Sequence, residues 1–375
     1  MRPEVASSPV AGYAPAGKDT GIVKSKGTAR IPILEGAPLE MKARKPEWLK
    51  VRSPGGDRFR HLKRLMRDQR LHSVCEEAGC PNIGECWEAG TATFLILGDV
   101  CTRACKYCAI AHGMPTELDL DEPRRVAEAV AALELDHVVV TSVNRDDLAD
   151  GGAAIFAETI RRCREVRPQC TVEVLIPDFK GDEDALRTVV DARPDILNHN
   201  LETVERLHPW ARPGGRYWRS ISLLGAAKSM APGMLTKSGM ILGMGETRDE
   251  IARAMADLRK AAVDILTLGQ YLRPSPHHAP IARWVTPAEF QEWKRVGEDE
   301  LGFSHVESGP LVRSSYHAES QAREVQAGGV GEIREVLEAD LPAPAEVAGP
   351  DRRPGSNLAS ASVLVQIEPR RAARS

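Results

Sequence analysis

The stretch Cys101-Thr102-Arg103-Ala104-Cys105-Lys106-Tyr107-Cys108 sets three cysteines at C-x3-C-x2-C spacing, directly after the apolar run Ala92–Leu97. Thiolates this close converge on one metal centre but cannot surround it. Structural zinc takes four ligands, and a [4Fe–4S] cube has four irons to ligate. Three ligands from one loop leave one iron open, and an open iron can chelate a small molecule through nitrogen and oxygen. A zinc knuckle or a redox thiol cluster uses the same residue types, so the loop alone leaves these alternatives open.

Upstream, and first in chain order, lies another triplet, Cys75, Cys80 and Cys86, at C-x4-C-x5-C spacing. Gly79, Pro81 and Gly84 are expected to keep this loop off regular helix and let the backbone wrap a cluster. Two triplets so close together imply two metal centres, because six thiolates are too many for one tetrahedral ion. Cys163 and Cys170 stand apart and read as packing residues.

Composition sets the outer bounds. The chain has 375 residues, 42% of them hydrophobic and 27% charged, with a net charge of −3. No global basic field points to nucleic acid, and no apolar run reaches membrane-spanning length. The N-terminus lacks a secretory pattern. The expected location is cytoplasmic, where clustered cysteines mean metal rather than disulfides.

Four regions are expected. Residues 1–41 read as a flexible extension; a transit peptide is the alternative, against which Glu4, Asp19, Glu35 and Glu40 argue. Residues 42–91 carry the first triplet behind a basic stretch, Lys42 to Arg70, with eleven Lys or Arg against three acidic residues. Phe59, Leu62, Leu65 and Met66 recur at helical spacing, so Asp57–Leu71 reads as an amphipathic helix with a basic outer face. That face either docks a partner or is merely solvated. Residues 92–323 alternate strand and helix, and 324–375 read as a disordered tail.

Strands are expected at Ala92–Leu97, His137–Val143, Thr171–Ile176, Ile196–Asn200, Thr236–Leu242 and Ile265–Tyr271. Helices are expected at Pro123–Leu135, Gly152–Arg167, Asp182–Arg193, near Val204–His208, and at Ser220–Ala231, Arg248–Ala262 and Pro287–Leu301. Repeated βα units imply parallel strands with right-handed crossovers. The fold class is therefore α/β, a partial (β/α)6 barrel with an N-terminal cluster-binding extension. Sites in such barrels lie at the C-terminal ends of the strands, and the cysteine loop follows the first strand.

Polar residues cluster at the other strand ends. Asn144 and Asp146 follow the second strand, Asn200 and Glu202 the fourth, Glu246 the fifth and Arg273 the sixth. Each can hold a nucleoside, an amine or a carboxylate; capping and turn roles are the alternatives. Near the end, Arg313-Ser314-Ser315-Tyr316 matters only if the first triplet needs a fourth ligand. No Ser/His/Asp set is present, and no catalytic acid or base is assigned.

The C-x3-C-x2-C loop with Tyr107 before its last cysteine resembles the cluster loop of the radical S-adenosylmethionine (SAM) superfamily. Together, both triplets, Arg145–Gly152 (R-D-D-L-x-D-G-G), Leu175–Phe179 (L-I-P-D-F), His199–Thr203 (H-N-x-E-T), Leu242–Thr247 (L-G-x-G-E-T) and Arg313–Tyr316 (R-S-S-Y) resemble the lipoyl synthases over roughly Lys45 to Ala318. The resemblance implies that Cys101, Cys105 and Cys108 hold a [4Fe–4S] cluster that binds SAM. It implies a second, auxiliary [4Fe–4S] cluster on Cys75, Cys80, Cys86 and a serine of R-S-S-Y, by register Ser315, with Ser314 as the alternative. Asn144, Asp146, Asn200, Glu202, Glu246 and Arg273 are then the expected SAM contacts.

By the same resemblance, the reaction is sulfur insertion at C6 and C8 of an octanoyl chain amide-linked to a carrier-protein lysine. Those carbons are unactivated, so acid–base or nucleophilic side chains cannot functionalise them. A SAM-derived carbon radical can, with the auxiliary cluster as sulfur donor. The implied partners are octanoylated carriers (E2 subunits of 2-oxoacid dehydrogenases and the glycine cleavage H protein), an electron donor such as ferredoxin or flavodoxin, and an iron–sulfur carrier for cluster repair. Neither nucleic acid nor membrane is expected as a partner. Another sulfur-inserting radical SAM enzyme, such as a biotin synthase or methylthiotransferase, is the nearest rival. A non-catalytic two-cluster electron carrier and a zinc module are rivals of other classes.

Overall fold

A computed structural model describes residues 45–51, 54–88, 91–321 and 325. The expected extension at 1–41 and most of the expected tail at 324–375 lie outside them. All described residues belong to one compact unit.

Its centre is an eight-stranded sheet. The strands are β1 (His72–Ser73), β2 (Thr93–Ile96), β3 (His137–Ser142), β4 (Thr171–Leu175), β5 (Ile196–Asn198), β6 (Leu235–Leu242), β7 (Ile265–Gln270) and β8 (His305–Gly309). They pair in chain order. Only β1 is antiparallel, on β2; every other pair is parallel. A parallel sheet in chain order, with helices between the strands, is the partial barrel expected from the alternation. The strands are buried almost throughout, which is why they read as apolar runs rather than alternating ones.

The sheet goes one parallel strand beyond the six expected. β8 reads His-Val-Glu-Ser-Gly and has no apolar run; it is a strand because its backbone completes the edge of β7. Chain entry also differs. The first cysteine triplet is not helix-free: Val74–Glu77 and Ile83–Glu88 are short helices. Gly79, at φ 58°, turns the chain between them. Gly84 sits inside the second helix, where a Cβ would fall 2.9 Å from the Cα of Pro54. It serves close approach, not helix breaking.

The helices fall near their expected places. α1 (Asp57–Asp68) buries Leu62 and Met66. Phe59 on α1 packs against Trp87 of the helix Ile83–Glu88, ring centroids 5.1 Å apart. The helix expected near Val204–His208 is instead His208–Ala211, because Pro209 suits a first turn and starts it. The helix expected from Ser220 begins at Tyr217. Tyr217 is buried there and donates to Asp257 at 2.9 Å. No helix among the described residues is long and apolar enough to cross a membrane.

Candidate functional site

One cavity of about 640 Å³ opens at the carboxyl ends of the strands. Thr93 and Leu95 of β2 and Thr267 and Gly269 of β7 line the same space, so the sheet curls around it. Cys75, Cys80, Cys101, Cys105, Cys108, Ser314 and Ser315 line it too. Cys86 does not; it lies half-buried on the helix Ile83–Glu88.

The second triplet's loop is tied to the strand ends. Val100–Cys101 pairs with Ala111–His112 in a short parallel ribbon that carries the loop. Thr102 Oγ1 donates to the Asn144 carbonyl at 2.9 Å and accepts from the Asp146 amide at 3.0 Å. The amides of Arg103 and Asn144 point at Cys101 Sγ, at 3.4 and 3.3 Å. His278 Nε2 lies 2.9 Å from the Cys108 carbonyl. Burial pushes the Cys108 thiol up to about 12 and also raises Cys105. Neutral thiols are thus the resting state without metal, and ligation must release their protons.

The first triplet has its own setting. Ser73 Oγ caps the Val74–Glu77 helix by accepting from the Cys75 amide at 3.1 Å. The hydrogen bond from Cys80 draws the Cys75 thiol down, and the same contact, with burial, drives Cys80 up. Burial pushes Cys86 up to about 12. The R-S-S-Y segment lies against this region: Asn82 Nδ2 donates to the Leu311 carbonyl at 2.7 Å, and the Tyr316 hydroxyl donates to Glu85 at 3.2 Å. The Ser314 hydroxyl accepts from Asn200 Nδ2 at 2.7 Å. Of the two serines of R-S-S-Y, Ser315 is thus the one whose hydroxyl makes no hydrogen bond among the described residues; Ser142, also in the lining, has a buried hydroxyl without a partner. Two sulfurs of one triplet, three of the other and an unengaged hydroxyl around one cavity suit ligands of clusters. No three His, Cys, Asp or Glu side chains among the described residues meet as ligands of a single metal ion.

Of the expected SAM contacts, Asn144, Asn200, Glu202 and Arg273 line the cavity. Asn144 Oδ1 and Asn200 Oδ1 are buried without hydrogen-bond partners. Glu202 accepts from Asn200 Nδ2 at 3.1 Å, and burial raises its carboxyl. Its backbone sits at φ 72°, pinned by Glu202 N–H to the Gly239 carbonyl at 2.9 Å and Ile241 N–H to its own carbonyl at 2.8 Å. A non-glycine residue held there is strained, and the strain turns its side chain to the cavity. Arg273 has its Nε on the His278 carbonyl at 3.1 Å.

Asp146 and Glu246 stand elsewhere. Asp146 is gripped by Arg103, at 2.8 and 2.9 Å, and does not line the cavity. Glu246 folds back on its own loop, accepting from the amides of Gly243 and Met244. Both positions follow strand ends, but neither side chain turns inward. Two cavity-lining residues had no reading in the sequence. Arg212, buried, donates to the Asn200 carbonyl at 2.6 Å; its only signal is an arginine before Pro213-Gly214-Gly215 on a strand-end loop. Arg103, inside the cysteine loop, also reaches Asp178 at 2.7 Å.

The model of the radical SAM superfamily matches residues 95–258, and that of the N-terminal domain of lipoyl synthase matches 35–80. Lipoyl synthase from Rubrobacter xylanophilus is 59% identical over 76% of this chain and 89% of its own. That from Roseiflexus sp. is 58% identical over 74% and 92%, and that from Laribacter hongkongensis 52% over 82% and 98%. Among solved structures, methylornithine synthase overlays with a TM-score of 0.43 at 13% identity, over 64% of this chain and 68% of that one. With relatives this similar along nearly their whole length, the chain belongs to the lipoyl synthase family of radical SAM enzymes.

Proposed function

We propose that Cys101, Cys105 and Cys108 hold the SAM-binding cluster, and that Cys75, Cys80, Cys86 and Ser315 hold the auxiliary one. The enzyme inserts two sulfur atoms at C6 and C8 of a protein-bound octanoyl-lysine, using SAM and two [4Fe–4S] clusters, and acts on octanoylated lipoyl carrier proteins. When bound, SAM and the clusters supply the hydrogen-abstracting radical and the sulfur. The chain's own task is placement. Asn144, Asn200 and Glu202 offer acceptors for amine and hydroxyl groups of SAM, and Arg212 and Arg273 offer cations for its carboxylate. Leu95, Val139, Leu175 and Ile241 give the acyl chain an apolar wall. In this reading, residues 42–91 form the auxiliary-cluster region and 92–323 the barrel. The finer partners are E2 subunits and the H protein as carriers, ferredoxin or flavodoxin as reductant, and an iron–sulfur carrier for repair, all in the cytoplasm.

The observation that carries the assignment is that members of both triplets and Ser315 face one cavity. Alanine variants of each triplet test it. Replacing Cys101, Cys105 and Cys108 should leave one cluster by iron and sulfide count and abolish SAM cleavage. Replacing Cys75, Cys80 and Cys86 should preserve SAM cleavage and abolish sulfur insertion. Lipoyl product from the second variant would overturn the assignment.

A further inference from the structure

Beneath the cavity, the barrel interior holds a charged layer that no step above uses. Side chains alternate along a strand, so residues two apart share a face. Val139, Leu175, Asn200 and Gly239 line the cavity. Two residues earlier in the chain, on β3, β4, β5 and β6, stand His137, Glu173, Asn198 and Lys237, all buried. Lys237 Nζ lies 3.0 Å from Glu173 Oε1, and both side chains are 0% exposed. Asn198 Nδ2 donates to Glu173 at 3.1 Å, and His137 Nε2 lies 3.6 Å from its other oxygen. Below this layer, Ile196, Leu235, Ile265 and Val325 form an apolar plug. Above it, Gly239 keeps space open: a Cβ there would meet Thr267 Oγ1 at 2.6 Å and Asn200 Oδ1 at 2.8 Å.

Apolar side chains would fill this depth at least as stably as a buried ion pair. They would also be soft, because apolar rotamers yield to an apolar guest. The Glu173–Lys237 pair does not yield, since admitting a methyl group means separating the two charges without water; in the same layer His137 Nδ1, His137 Nε2 and Asn198 Oδ1 are buried without hydrogen-bond partners. We propose that the Glu173–Lys237 layer is the floor on which the methyl end of the acyl chain stops. It thereby selects chain length and sets which carbons stand beside the reacting centre. The residues are specificity determinants and do not take part in the chemistry. The inference rests on the octanoyl-lysine reading above.

The test compares lysine peptides carrying octanoyl and decanoyl chains, titrated calorimetrically into the cluster-loaded protein with SAM under anaerobic conditions. Two extra methylenes in an open apolar site would tighten binding about tenfold. With a fixed floor, the wild-type protein binds decanoyl no more tightly than octanoyl. In Glu173→Gln/Lys237→Ala, which removes both charges and opens space, decanoyl should gain about tenfold relative to octanoyl. Tenfold tighter decanoyl binding by the wild-type protein overturns the floor, and that comparison needs no variant to fold. An unchanged ratio in a variant with wild-type circular dichroism overturns it too. Failure of the wild-type protein to convert the octanoyl peptide would instead strike the functional reading beneath it.

Discussion

Arg103 stands between Cys101 and Cys105, and its side chain is 3% exposed. It binds Asp146 by two nitrogens and reaches Asp178, which also receives Arg219 at 3.2 Å. The loop that must present three sulfurs is thus bolted to the ends of β3 and β4. Arg103→Met leaves Asp178 buried and short of its main partner, which should cost about 3–5 kcal/mol in urea unfolding. A loss within error of zero would show that the network does not hold the loop. The same network gives a pH signature. Burial opposes ionisation of Asp178, but Arg103 outweighs it and holds the carboxyl well below its ordinary 3.8. Its contribution is therefore complete above that value and is lost as pH falls through the lower, folded one. Stability of the wild-type protein should fall more steeply below about pH 4 than that of Asp178→Asn. At the same scale, an oxygen ligand is harder than a thiolate and holds iron less firmly. Ser315→Cys should assemble a cluster yet turn over poorly, as read by iron content and product yield. Wild-type turnover would count against Ser315 as a ligand that must leave.

Among the elements, α1 carries five of the eleven cations of the basic stretch that precedes the first triplet, of which Lys42, Arg44 and Arg52 lie outside the described residues. Leu62 and Met66 hold it down, while Arg58, Arg60, Arg64 and Arg67 are exposed. Its cations are not equally free. Lys63 pairs with Glu76 at 3.4 Å and lies over the Phe59 ring, and Arg60 pairs with Asp57 at 2.7 Å. Charge reversal at Arg58, Arg64 and Arg67 therefore tests docking of an acidic carrier more cleanly. Docking predicts a higher KM for the intact carrier, strongest at low salt, and little change for a short octanoyl-lysine peptide. Equal loss on both substrates, or on neither, would mean a face that is only solvated. The elements also mark the limits of reading a sequence. Buried parallel strands betray themselves as apolar runs, so β2 to β7 were legible. β8 was not, because its place depends on the neighbouring backbone rather than on its own residues. The cysteines were legible because their spacing is their chemistry. Asp146 and Glu246 turn away from the cavity, which the sequence could not show, because a residue type at a strand end does not say which way the side chain turns. Arg212 went unread because its meaning lies in a cavity formed by residues far away in the chain.

Taken whole, the molecule is a curled parallel sheet with cysteines of two separate triplets and a serine brought to one cavity, above an apolar wall and a charged floor. The serine comes from far along the chain beyond the neighbouring triplets, yet Asn82, Glu85 and the R-S-S-Y segment bring them together. That convergence is what a reaction needing a radical source and a sulfur donor on one alkyl chain requires. The most direct test is mass spectrometry of an octanoylated carrier peptide incubated anaerobically with the iron- and sulfide-reconstituted protein, SAM and a reductant. The expected product has two hydrogens of the octanoyl chain replaced by two sulfurs, with 5′-deoxyadenosine formed alongside. Release of 5′-deoxyadenosine with no sulfur on the peptide, from protein holding both clusters, would contradict it.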